Sequence, residues 1–342
     1  MKKILFVLFV AFTITVGLFA GGEKEMATES MAKDSLVWIW YPNESTPEFS
    51  ETRAEFIRVI SEALGREIIE QLSTDYAITL EALINDNAAF SWLGGEGYTQ
   101  AHERNAAILP LVTNSGNSGT LSDAKYYSML GTLSENADQY MVSGSYNLDT
   151  FKSKRFSFVS NSSTSGFRVP SSIISANFNV TSEELLEGGP DMVFSEVMFG
   201  GSHQGSFFNV LTGKADVGAF CNTCVKEYME FTSGNFDDPK AGDVIRVINN
   251  ADAPFDQVPG IEVTLVATVP VLNAPIVMNT NLLSDEEVVI LKQLLTSDEV
   301  ADNPLLFGEK GADVKTLFRA GRRMVLVDDK WYDPIRELSG LK

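Results

Sequence analysis

Cysteine, histidine and positive charge are scarce in this chain of 342 residues: two Cys, two His, and 26 Lys plus Arg against 46 Asp plus Glu. Two cysteines cannot form the disulfide framework of a small secreted scaffold. With Cys221 and Cys224 as the only thiols and His102 and His203 as the only imidazoles, a Cys-rich zinc site cannot be assembled. A net charge of −20 excludes attraction of nucleic acid or of an anionic membrane through the overall field. No serine lies in a Gly-x-Ser-x-Gly elbow with assignable His and acid partners, which argues against a hydrolase. After the first 20 residues no segment approaches the ~18 uninterrupted apolar residues of a membrane span. Internal repeats are absent as well.

What is present begins with an export signal. Met1-Lys2-Lys3 is followed by an apolar run from Ile4 to Phe19 and a small-residue exit at Ala20-Gly21-Gly22. A short basic start, an apolar stretch of this length and small residues at its end mark a signal peptide, residues 1–20, removed after Ala20. The run is short of the ~20 apolar residues of a spanning helix. No cysteine stands at the exit, so a lipid anchor is not supported. Residues 21–35 read as a flexible polar leader. Removing Lys2 and Lys3 leaves 24 basic and 46 acidic residues, a mature charge of −22. About 300 remaining residues with 44% hydrophobic content suit two packed domains, at ~100–200 residues each.

Apolar runs and amphipathic segments then alternate. Leu36–Trp40 reads as a buried strand; Thr52–Leu64 repeats Phe56, Ile57, Ile60, Ala63 and Leu64 at helical spacing, closed by Gly65. Glu67–Leu72 reads as a strand, a helix with Ile78, Ala82 and Leu83 on its apolar side follows, and Ala88–Leu93 is a strand ending in Gly94-Gly95. Further on, strands are predicted at Arg155–Ser160, Val193–Phe199 and Asp216–Phe220, with capping boxes at Thr181–Glu184 and Ser284–Glu287. The alternation predicts a largely parallel sheet with helices on both faces.

Ligands of open α/β sheets bind beyond the carboxyl ends of strands, where loops enter helices. Three such ends carry unusual residues: Gly94–Tyr98, Ser162–Gly166 and Gly200–Gln204. The second closes "FVSNSSTSGF", in which five of the six positions from Ser160 to Ser165 are hydroxyl residues. Hydroxyls, a glycine and a helix N-terminus together suit a tetrahedral oxyanion, and His203 adds a donor at another helix start. The plainer alternative is that Ser162–Ser165 only caps a helix and His203 lies on the surface.

"FSFVSNSSTSGFRVP", with "FGGSHQGSFFNVLTGKADVGAF" downstream, resembles the phosphonate-type periplasmic binding proteins of ABC importers. The likeness extends to "STDYAITLEAL", "FSWLGGEGY" and "VPVLNAPIVMNT", hence over nearly the whole mature chain. It implies a type II-like, two-lobe α/β binding protein, each lobe a mainly parallel sheet with flanking helices, joined by two hinge strands. Lobe 1 would be 36–130 with 266–342 and lobe 2 131–265, with the chain crossing near Tyr126–Leu133 and returning near Val263–Thr268. By position, Ser163, Thr164 and Ser165 would cradle the oxyanion, His203 would donate to it, and Tyr76 and Tyr98 would face the cleft, though either tyrosine fits a packing role equally well. Where family members that bind aminoalkylphosphonates carry carboxylates for the ammonium, this chain reads Cys224, beside Asn222, and Asn273. A buried ammonium without a carboxylate is penalised, so the expected ligand is a neutral-tailed phosphonate, phosphite, phosphate or another small oxyanion, without an ammonium group. Cys221 and Cys224 are open to a short-loop disulfide or lining thiols, to ligand contact, or to redox chemistry.

The resemblance implies an exported, periplasmic monomer, not an enzyme, that hands its ligand to a membrane permease, with no metal or cofactor. The alternatives are a sensor that presents the ligand to a receptor kinase, or a thiol oxidoreductase using the Cys-x-x-Cys pair.

Overall fold

In the computed structural model of the chain, residues 35–309 and 311–340 are described; the signal peptide expected at 1–20 and all but the last residue of the leader lie outside the described residues. The first strand, β1 (Leu36–Trp40), is apolar on both faces because both are covered. Successive side chains point to opposite sides. Trp38 and Trp40 join Phe56, Phe90 and Leu291 on one face, and Ile39 joins Leu80, Tyr98 and Ile335 on the other. Trp38 stacks on Phe90 with ring centroids 5.5 Å apart and meets Phe56 edge-on at 5.0 Å. Each such ring contributes about 1.5–3 kcal/mol by burial.

Helix α1 (Ser50–Leu64) buries Phe56 and Ile60 and stops at Gly65, whose φ of 62° is a left-handed cap that glycine adopts without strain. Strand β2 (Ile68–Leu72) leads to α2 (Tyr76–Ile84), capped by Asp75, whose side chain accepts from the N–H of Ala77. The buried face of α2 is Tyr76, Thr79, Leu80 and Leu83; Ile78, expected on it, is 54% exposed. Strand β3 (Phe90–Trp92), helix α3 (Gly95–Arg104) and strand β4 (Ile108–Asn114) complete this section.

The chain then leaves the sheet for β5 (Lys125–Leu133) and β6 (Arg155–Phe158). A π-helical turn at Thr164–Arg168 runs into α4 (Val169–Phe178). Strand β7 (Glu196–Phe199), helix α5 (His203–Leu211), and strands β8 (Val217–Cys221), β9 (Met229–Ser233), β10 (Val244–Val247) and β11 (Glu262–Leu272) follow. β11 passes almost directly into β12 (Pro275–Asn279), back in the first sheet, before α6 (Asp285–Leu295), β13 (Met324–Leu326) and α7 (Asp333–Ser339). Ser284 and Glu287 close α6 with the reciprocal capping box the sequence predicts. The box at Thr181 and Glu184 also forms, but it opens only a single 3-10 turn, Glu183–Leu185.

The first sheet has the order β13-β4-β12-β3-β1-β2 and the second β9-β10-β11-β5-β8-β6-β7. Four of six strands in the first and five of seven in the second share one direction. Only β1 with β2 and β3, and β6 with β7 and β8, are parallel neighbours, so both sheets are mixed at the level of pairing. The cause is the crossover. β12 returns between β3 and β4, and β5 enters between β8 and β11, each antiparallel to both neighbours. The transfers between sheets lie between Asn114 and Lys125 and between Leu272 and Pro275. The boundaries expected at 130/131 and 265/266 therefore fall inside β5 and β11, which pair along nearly their whole length.

Candidate functional site

The loops after β1, β3 and β6, and the N-termini of α2, α3, α5 and the π turn, converge on one cavity of about 960 Å³, part of it open to solvent. Ser163, Thr164 and Ser165 are buried at its wall. Ser163 caps the turn: its Oγ accepts from the N–H of Gly166 at 3.1 Å, while its carbonyl accepts from Phe167 and Arg168. The first turn of a helix leaves backbone N–H groups unclaimed, and those of Thr164 and Ser165 stand at this end. Behind the turn, the hydroxyl of Ser128 donates to the Ser165 carbonyl at 2.7 Å. Gly166 has to be glycine, because a Cβ there would lie 2.3 Å from the Val159 side chain. Gly94 is held likewise by Thr164, whose Oγ1 would be 2.6 Å from its Cβ.

His203, the first residue of α5, brings Nε2 to 3.4 Å from the Ser163 hydroxyl and 3.5 Å from that of Ser165. It is buried, not on the surface, and burial lowers its pKa to about 3, so the ring is neutral at physiological pH. Its Nδ1 has no hydrogen-bond partner among the described residues. Tyr76 is buried at the start of α2 and its hydroxyl accepts from Asn43 Nδ2 at 2.7 Å.

Cys224 and Asn273 also line the cavity. Cys224 is joined to Cys221 in a disulfide with the Cα atoms 5.3 Å apart. The two sulfurs and a nitrogen of His203 lie within 4.8 Å of one another, but paired sulfurs are not thiolate ligands. Asn273 donates through Nδ2 to the Asn114 carbonyl at 2.6 Å. Two expected site residues stand elsewhere. Tyr98, in the first turn of α3, is fully buried with its hydroxyl hydrogen-bonded to Asp329 and its ring edge-on to Tyr332. It packs the helix to the C-terminal segment and does not line the cavity. Asn222 is turned away by the tight Cys221–Cys224 loop: its Oδ1 accepts from the N–H of Tyr127 at 2.9 Å and its Nδ2 donates to the Phe236 carbonyl at 3.0 Å.

The cavity also holds residues that sequence reasoning missed. Tyr126, at the start of β5, lines the cavity with Ser165 and Thr164, and burial raises its phenol to about 12. Asn43, in the loop after β1, straps the two sheets together. Its Oδ1 accepts from the N–H of His203 and its carbonyl from Gln204 Nε2, both at 3.0 Å. Thr164 Oγ1 accepts from the N–H of Glu96 at 2.8 Å, a second strap. Glu44 lines the same cavity, and burial lifts its carboxyl to about 8 against the pull of Arg53, so it keeps its proton at neutral pH. The only signal for this group was the loop "YPNES" at a strand end. Three cations, Lys226, Arg319 and Arg322, complete the wall.

Residues 39–332 match the profile of a family described as "ABC transporter, phosphonate, periplasmic substrate-binding protein". Among curated proteins, the phosphate-import protein PhnD of Mycolicibacterium smegmatis is 23% identical over 214 residues; the match spans 61% of this chain and 62% of that protein, under two thirds of its length. Among solved structures, PhnD1 from Prochlorococcus marinus in complex with methylphosphonate aligns with a TM-score of 0.64 at 16% identity, covering 90% of this chain and 98% of that one. A binding protein component of an ABC phosphonate transporter from Pseudomonas aeruginosa aligns with a TM-score of 0.63 at 18% identity, covering 89% and 85%. At these identities the likeness shows the fold, that of the two-lobe periplasmic binding proteins.

Proposed function

The chain belongs to the phosphonate-type periplasmic substrate-binding proteins of ABC transporters, and from that membership we propose that it captures a small phosphorus oxyanion in the cavity between its sheets and delivers it to a membrane permease. The observation that carries this reading is the set of buried, unpaired polar atoms on residues that line one space. Glu44 Oε2, Asn114 Oδ1 and His203 Nδ1 all belong to residues lining the cavity, and none has a hydrogen-bond partner among the described residues. Leaving such atoms unpaired costs about 1–3 kcal/mol each, a cost a bound oxyanion and its waters would relieve. The head group would sit on Ser163, Thr164 and Ser165, with His203, Tyr76 and Tyr126 around it.

In this reading the sheets are the cores of two lobes that hinge at 114–125 and 272–275 and close on the ligand. The protein acts as a monomeric receptor, not a catalyst, in the space outside the cytoplasmic membrane. Among the described residues no helix is long and apolar enough to cross a membrane. The overall acidity is compatible with an anionic ligand, because the local dipoles act inside the cavity while distant charge is screened beyond ~8–10 Å.

A thermal-shift screen with phosphate, phosphite, methylphosphonate, sulfate and arsenate tests the reading, since a ligand that binds only the native state raises its melting temperature. At least one of the three phosphorus compounds should give a shift of several degrees that Thr164→Ala and His203→Ala abolish. Retention of the shift in both variants would refute the site.

A further inference from the structure

The cavity has a second kind of wall that a bare head group does not use. Lys226 is 6% exposed and Arg322 8%, and with Arg319 they are the cationic side chains lining it. They come from distant parts of the chain: Lys226 follows the Cys221–Cys224 loop, and Arg319 and Arg322 precede β13. Their counter-charges are few and shared. Asp237 accepts from Arg322 Nη2 at 3.0 Å and also pairs with Arg319. Glu227 lies 3.2 Å from Lys226, whose ammonium also donates to the Thr316 carbonyl at 2.8 Å. Asp123 acts on Arg322 from the neighbouring pocket, where Lys125 also lies and where Ser118 donates to its carboxylate. Burial is the main force lowering the pKa of Lys226 and of Arg322, and Arg319 lowers both further, so these charges feel one another.

Among the described residues none of the acidic partners lines the cavity; the one carboxyl that does, Glu44, is held protonated by burial. The positions that would clamp an ammonium are a disulfide sulfur and an amide already committed to Asn114. Cations desolvated at a cavity wall suit a carboxylate, which a guanidinium can hold through two N–H groups. We propose that the ligand is a phosphonate with a carboxylate on a short alkyl tail, its head on the Ser163–Ser165 cradle and its tail on Lys226, Arg319 and Arg322. This rests on the reading of Ser163–Ser165 as the head-group cradle.

The test is calorimetric titration of the wild-type protein with matched pairs: phosphonoacetate against ethylphosphonate, and 3-phosphonopropionate against propylphosphonate, with 2-aminoethylphosphonate as the opposite charge. At least one carboxylated member should bind ten times or more tighter than its alkyl partner, and the aminated one more weakly than ethylphosphonate. In Lys226→Gln and Arg322→Gln the ratio within the preferred pair, both ligands measured on the same protein, should fall to about one. If the cations serve only to latch the sheets, the pairs bind alike in the wild type and the proposal is overturned. Tightest binding of 2-aminoethylphosphonate, received by Glu44, overturns it too. Binding of methylphosphonate with no gain from a carboxylate removes the tail assignment and leaves the cradle standing; binding of no phosphonate at all removes both.

Discussion

The Ser163–Ser165 cradle and the wall of Lys226, Arg319 and Arg322 face one cavity with opposite physics. The cradle is neutral. Its donors are hydroxyls, backbone N–H groups at the start of a helix and an imidazole kept uncharged by burial. Such dipoles are fixed by the backbone and need no counter-ion. The wall is made of formal charges on long side chains, each tied to a carboxylate outside the cavity. Moving ions out of water costs several kcal/mol apiece unless paired and hydrogen-bonded, so their geometry depends on partners contributed from across the fold. In the proposed site the head and the tail of the ligand would therefore be held by different forces: one local and insensitive to charge state, the other long-range and dependent on pairing.

The largest change should come from breaking the rigidity of the neutral side. Gly166→Ala puts a Cβ 2.3 Å from the Val159 side chain and 2.8 Å from Ser163 Oγ. Overpacking of this kind costs about 1–3 kcal/mol, and here it must displace the cradle itself. Methylphosphonate affinity, measured by titration calorimetry, should drop about a hundredfold, a loss of about 2.7 kcal/mol. A variant that melts several degrees lower yet binds normally would show that the cradle tolerates movement.

Glu44 stands between the two kinds of wall: neutral like the cradle below a pH of about 8, charged like the wall above it. Burial raises its pKa in the folded state above the ordinary carboxyl value of about 4.5. The folded protein therefore holds a proton that the unfolded chain has given up. Stability from this group is fully present below about 4.5 and is lost as pH rises through about 8. Denaturant titrations should show the wild type losing on the order of 2 kcal/mol between roughly pH 5 and pH 9 relative to Glu44→Gln. Parallel pH profiles of the two proteins would place the charged form in a better-solvated setting than its burial implies.

A smaller effect is expected from the strap. Asn43→Ala removes the side-chain bond between the sheets, from the His203 N–H, and the one to Tyr76, while the backbone carbonyl that receives Gln204 and the Ser163–Ser165 backbone stay in place. At about 0.5–1.5 kcal/mol for a neutral hydrogen bond, affinity should fall about tenfold, through faster release measured by stopped flow. An unchanged release rate would mean that closure is governed by the cationic wall instead.

The same contrast explains what could be read from the chain. The cradle was legible because it is contiguous: five hydroxyls and a glycine between a strand and a helix announce both their conformation and their donors. The fold followed from alternating apolar periods, but the pairing of the sheets did not, since the wedged positions of β5 and β12 arise from long-range return of the chain. Tyr98 was misplaced because helical phase within one turn decides whether a ring faces a cavity or the core, and here Tyr332 and Asp329 claim it. Ile78 failed for the same reason. Arg319 and Arg322 carried no local signal at all, and their place at the cavity comes from Asp237, more than eighty residues earlier in the chain.

The Cys221–Cys224 link encloses a ring of only four residues. Tethering so short a ring removes little freedom from the unfolded chain, about 2 kcal/mol against about 4.7 for a hundred-residue ring. Its worth to the folded molecule is then chiefly one of shape. It pins the turn that ends β8 against His203 and sets the direction in which the chain reaches Lys226 two residues on. The contour of the binding surface thus carries a record of where the chain matured. Polypeptide retained among cytosolic reductants would keep its sheets but lose the roughly 2 kcal/mol of the link and the pin that holds this turn beside His203.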